Sequence, residues 1–108
     1  PVDRNLAEAV RGHRQIIVEK QTLDMFSNPV AERLIRALPP HAIVFGVTTE
    51  YCVKAACLGL RRAGVPVALV TDATRAISLK GEKEAMEEMR KAGVEFITSD
   101  TLLGAGVA

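Results

Sequence analysis

The sequence predicts an α/β fold, a parallel sheet with helices on both faces. Short apolar runs alternate with amphipathic segments in the order strand, helix, strand, helix, strand, helix, strand. Two of the runs, Ala42 to Val47 and Pro66 to Val70, are apolar without alternation, as in strands buried on both faces. Strand–helix–strand alternation implies right-handed crossovers and a Rossmann-like three-layer arrangement. The 108 residues fit one domain over 1–108, with 48% hydrophobic residues to fill a core and 25% charged residues, a globular balance.

Each element has its own signal. Ile16-Ile17-Val18 is a β-branched run and reads as the first strand. Residues 28 to 38 place Val30, Leu34 and Leu38 at four-residue spacing with Ile35 beside them, a helix stripe. Asn28-Pro29 opens that helix as cap and first-turn proline, and Pro39-Pro40 lies beyond its end. Ala42 to Val47 is the second strand, and Thr49 to Arg62 reads as a helix that stops near Gly64. Pro66 to Val70 is the third strand. Residues 80 to 92 surround Ala85, Met86 and Met89 with Glu82, Lys83, Glu84, Glu87, Glu88, Arg90 and Lys91, a solvated helix with one apolar edge. Val94 to Thr98 is the last strand.

Several function classes fall away. The net charge is +1, and no basic run forms a nucleic-acid groove. The apolar runs are too short to span a bilayer, and no signal-peptide pattern stands at the start. On a single helix, Cys52 and Cys57 would lie roughly 140° apart around the axis and about 8 Å apart, too far for a disulfide. Reduced thiols in a cytoplasmic protein are the expectation. His13 has no second ligand at metal spacing, so no metal site and no cofactor is expected.

Ligands in such folds bind at the carboxyl ends of the strands, so the residues after Val18, Val47, Val70 and Thr98 matter most. Gly46-Val47-Thr48-Thr49-Glu50-Tyr51-Cys52-Val53 is the strongest feature. A strand ends at Val47, and Cys52 falls in the first turn of the next helix. Free N–H groups and the positive helix end favour thiolate over thiol there, and can receive the oxyanion formed when a thiolate attacks a carbonyl. Position alone also fits a buried structural cysteine. Cys57, with Ala55, Ala56 and Leu58 around it, reads as core. Lys20 follows the first strand and so reaches the same rim, either to hold the thiolate or as a solvated strand-end lysine. Asp72, after the third strand, reads as a cap on a turn or on the next helix. Phe26 and Tyr51 are candidates to flank a flat substrate, and Phe26 equally fits plain packing.

The Gly46–Val53 segment, Leu58-Gly59-Leu60, Val67-Ala68-Leu69-Val70 and Thr71-Asp72-Ala73 closely resemble the isochorismatase-like cysteine hydrolases, nicotinamidase-like amidases above all. Glu19-Lys20-Gln21 through Phe26-Ser27-Asn28-Pro29 is similar to the segment carrying the family's catalytic lysine. The resemblance implies a six-stranded parallel sheet with an Asp–Lys–Cys triad, with Cys52 as nucleophile and Lys20 as the triad lysine. It also implies a cis peptide at Val47–Thr48 and an oxyanion hole from the N–H groups of Thr48 and Cys52. Phe26 and Tyr51 would bind a small planar amide such as nicotinamide, and a homo-oligomer is expected. True isochorismatases lack the cysteine, so its presence implies C–N hydrolysis through a thioester.

The sequence also departs from the family. The triad aspartate belongs upstream of the lysine at the end of a first strand, and Asp3 stands too close to Lys20 to be its counterpart. The family's metal-binding segment also lies upstream. The expectation is therefore the C-terminal part of a longer hydrolase, lacking its first strands and holding two triad members of three. The general acid–base share of the rate, typically about 10²–10⁴-fold, would be missing from it. Two other readings stay open: a non-catalytic α/β module that binds a ligand or subunit, and a piece whose sheet edges drive association.

Overall fold

The structure, a computed structural model, describes residues 19–37 and 41–104. The expected first strand, Ile16-Ile17-Val18, and His13 and Asp3 lie outside the described residues. The described chain begins with the loop that carries Lys20, followed by a 3₁₀ turn, Met25–Ser27. Then come α1 (Pro29–Ala37), β1 (Ala42–Val47), a π-helical turn (Thr49–Val53), α2 (Lys54–Arg62), β2 (Val67–Arg75), α3 (Leu79–Lys91), β3 (Glu95–Ile97) and α4 (Ser99–Gly104). The three strands form one parallel sheet in the order β1-β2-β3. Among the described residues, no helix is long and apolar enough to cross a membrane.

The crossover helices α2 and α3 cover one face of the sheet. Their Cys57, Leu60, Ala85 and Met89 pack with Val67 and Leu69 of β2, and Leu69, Met89 and Cys57 are fully buried. Side chains alternate across a strand. Ala68 accordingly lies on the other face, where it shares a hollow of about 480 Å³ with Ile43, Ile97, Thr101 and Leu102. Helix α4 therefore stands on the face opposite α2 and α3. Helix α3 begins at an N-cap, with the Gly81 N–H donating to the Ser78 hydroxyl at 3.0 Å. At the far end of the sheet, the Arg61 guanidinium donates to the carbonyls of Ala92 (2.9 Å) and Val65 (3.2 Å), tying the two turns that lead into β2 and β3.

Four expectations need correction. Strand β1 is not buried on both faces: exposure alternates along it, and Phe45 and Val47 are 67% and 69% exposed. It is an edge strand of the described sheet, covered only by the helices of one face. Strand β2 does not stop at Val70 but runs to Arg75. The register jumps from Val44↔Leu69 to Gly46↔Thr74, so extra residues of β2 bulge out between these pairs. The Thr74 hydroxyl closes the bulge with a 2.7 Å bond to the Val70 carbonyl. Opposite, Gly46 adopts φ +120°, a conformation that L side chains rarely take. On α1 the buried stripe is Ala31 and Leu34, with Ile35 against the core, while Val30 is exposed. Helix α4 has no counterpart in the periodicity, because six residues are too few to show one.

Cys57 is 0% exposed, and burial pushes its thiol from the ordinary value of 9.0 up to about 11. Its neutral form is thus favoured by folding. That stability is fully present below the unfolded thiol's range and is lost as pH rises toward and through about 11, because the unfolded chain ionises first. Denaturant unfolding at about pH 8 and about pH 10.5 should show a larger loss for the native chain than for Cys57→Ala.

Candidate functional site

Strand β1 ends at Val47, and the Val47–Thr48 peptide bond is cis. The chain then enters the π-helical turn Thr49–Val53 rather than a regular first turn of α2. Such single turns recur at functional sites because the extra residue re-aims side chains. The Thr48 carbonyl accepts from the N–H groups of both Tyr51 and Val53, each at 3.1 Å. Thr49 and Val53 are buried, so the turn is pinned to the core, while Cys52 is half-buried at its surface. Cys52 and Cys57 are both free thiols.

Lys20 comes from a separate segment, and its Nζ lies 3.5 Å from Cys52 Sγ. The same ammonium donates to the Thr22 carbonyl at 3.0 Å. A set of local bonds shapes this loop. The Thr22 hydroxyl accepts from the Asp24 N–H (3.2 Å), and Asp24 Oδ1 accepts from the Phe26 N–H (2.9 Å). Asn28 reaches back to the Glu19 carbonyl at 2.7 Å and caps α1 through the Val30 N–H at 2.9 Å. A hollow of about 370 Å³ opens beside Lys20, with Gln21, Thr22, Ser27 and Asn28 among its walls. Two residues that the sequence separates by 32 positions thus meet at the end of β1.

The two aromatic candidates part company. Tyr51 is exposed beside Cys52. Phe26 packs against the core, and its ring occupies the space that a Cβ at Gly59 would need. Asp72 does cap a helix, but it is α4 and not the next helix along the chain: its carboxylate accepts from the Ser99 hydroxyl at 2.6 Å and the Ser99 N–H at 2.8 Å. Those two bonds, the hydroxyl's first, hold the Asp72 carboxyl below the usual carboxylate range. Among the described residues, no three His, Cys, Asp or Glu side chains gather as a metal-ligand set.

One residue of the site has no role that the sequence alone assigns. Glu50, buried in the same turn as Cys52, accepts from the Ile77 N–H (2.8 Å), the Ser78 N–H (3.0 Å) and the Ser78 hydroxyl (3.4 Å). Burial raises its pKa, but the bonds from Ile77 and Ser78 outweigh burial and leave the carboxyl below its ordinary value. The only hint in the sequence is a carboxylate between Thr49 and Val53, two positions that the helix turns inward.

A sequence model of the isochorismatase domain family matches residues 2–101. Isochorismatase domain-containing protein 1 of Salmo salar is 31% identical over 77 residues, which cover 69% of this chain and 27% of the salmon protein. The zinc complex of the pyrazinamidase of Pyrococcus horikoshii superposes with a TM-score of 0.68 at 28% identity, over 79% of this chain and 48% of that one. The nicotinamidase of Staphylococcus aureus, at 19% identity and a TM-score of 0.68 over 85% of this chain and 59% of that one, speaks to the fold alone. The chain therefore spans about a quarter of the curated relative's length and about half of the solved chains' length.

Proposed function

The chain belongs to the isochorismatase domain family, a family of hydrolases, and on that footing we propose that it carries the acylating half of a cysteine amidase acting on small planar carboxamides. The observation that supports this most is the 3.5 Å contact between Lys20 Nζ and Cys52 Sγ at the carboxyl end of β1. At that distance the ammonium can donate to the sulfur and hold it in place as the nucleophile of the proposed reaction.

In the proposed reaction the Cys52 sulfur bonds to the amide carbon, and the N–H groups of Thr48 and Cys52 receive the oxyanion. The C–N bond then breaks, and ammonia leaves with a proton from an acid. Water hydrolyses the thioester, releasing the carboxylic acid and restoring the thiol. By the resemblance that acid would be an aspartate, and among the described residues none lies within reach of Cys52 in the contacts the structure shows. Tyr51, exposed beside the thiol, is the aromatic side chain proposed to flank the substrate. Phe26, packed on Gly59 and against the core, fits the plain packing role.

Alkylation of the native chain, read by peptide mass spectrometry, tests the proposal. Cys52 is expected to label at least about tenfold faster than Cys57 and faster than a cysteine in an unstructured peptide. Equal labelling of the two cysteines, or a Cys52 no faster than the peptide, would favour a non-catalytic module of the same fold.

A further inference from the structure

We infer that Glu50 is a positioning residue for Cys52: its buried carboxylate bolts the π-helical turn to the two residues that lead into α3 and thereby sets where Sγ meets Lys20. This rests on the reading of Cys52 as the nucleophile.

Three observations carry the inference. The first is the set of partners. Glu50 takes both backbone donors that precede α3, Ile77 N–H at 2.8 Å and Ser78 N–H at 3.0 Å, with the Ser78 hydroxyl at 3.4 Å as a third. These residues lie 27 and 28 positions along the chain, so the bonds join the turn to a separate element. The second is the space kept for the carboxylate. A Cβ added at Gly81 would fall 2.6 Å from Glu50 Oε2 and 2.8 Å from Ser78 Oγ. A glycine in the first turn of α3, where most residues make better helix, thus leaves room for this anchor. The third is electrostatic. A carboxylate two residues from a thiolate would oppose it, but this one sits at the N-terminus of a 13-residue helix, whose positive end compensates its charge.

The two cysteines make a selective test, since Cys57 reports on the fold and Cys52 on the turn. Alkylation rates of both thiols and thermal unfolding are measured for the native chain and for Glu50→Ala, Glu50→Gln and Gly81→Ala. In Glu50→Ala the Cys52 rate is expected to fall about tenfold or more while Cys57 stays protected. Glu50→Gln, which keeps one acceptor oxygen, is expected to restore part of that loss. Gly81→Ala pushes on the carboxylate and on the Ser78 hydroxyl without removing either, so it should slow Cys52, while its better helix propensity offsets part of the strain and keeps the fall in thermal stability smaller than that of Glu50→Ala. If Glu50→Ala unfolds, which exposed Cys57 would reveal, the other two variants decide. A fast native Cys52 left unchanged by both Glu50→Gln and Gly81→Ala overturns the inference alone. A native Cys52 no faster than an unstructured thiol overturns the nucleophile reading and the inference with it.

Discussion

Cys52→Ala is expected to abolish acyl transfer to this chain. The thiol supplies the bond that every later step depends on, and removing a nucleophile typically costs on the order of 10³-fold or more. The check is a mass spectrum after exposure to an activated aryl ester of a small aromatic acid, which forms the thioester by expelling a phenolate that needs no proton to leave. The native chain should gain one acyl group, trapped on the peptide containing Cys52. Cys52→Ala should gain none. Cys57→Ser is the matched control. It should still acylate, although a hydroxyl in that apolar pocket costs about 1–3 kcal/mol of stability. An acyl group retained on Cys52→Ala would remove the thiol from the mechanism.

The second large effect is expected from Lys20→Met, which keeps the stem and removes the charge. Nζ lies 3.5 Å from Sγ, close enough for a charge-assisted contact, and is held there by the Thr22 carbonyl at 3.0 Å. Both ends of the pair reach solvent, which limits the coupling. Cys52 alkylation near neutral pH should fall about tenfold, and acyl transfer by a similar factor. A pair open to water is screened by salt, so raising the ionic strength should slow the native chain toward the variant and leave the variant nearly unchanged. Identical rates for both chains at low salt would leave Lys20 as a solvated lysine without a role in acyl transfer.

The legible parts of the molecule are those that local patterns decide. Ala42 to Val47 is an apolar run between a proline pair and a threonine pair, and the strand occupies those residues. The charged sequence around Ala85 and Met89 announces a helix with one buried edge, and both side chains are buried. What is illegible depends on distant partners. The third strand reads as ending at Val70, with Asp72 as a cap beyond it, yet Thr74 and Arg75 resume pairing with Gly46 and Val47 beyond the bulge. The exposure of Phe45 and Val47 follows from which faces other elements cover, and an apolar run carries no record of that. Glu50 carries no role in the sequence reading, because its donors lie 27 and 28 positions away, in the segment that leads into α3. The strand-end rule brings Lys20 and Cys52 to one rim. The contact itself needs the loop from Thr22 to Asn28, whose hydrogen bonds no periodicity describes.

Gly46 sets a condition of a different kind. It precedes the cis peptide by one residue, and nothing lies within 4 Å of where its Cβ would stand, so volume does not restrict it. Its φ of +120° does, because that angle is the mirror image of an ordinary strand conformation. The restriction is therefore one of chirality. A residue of the opposite hand would fit there with room for a side chain, while every L-residue would be strained. Among the genetically encoded amino acids only the achiral one meets that condition, so the approach to Cys52 is fixed by handedness and not by packing.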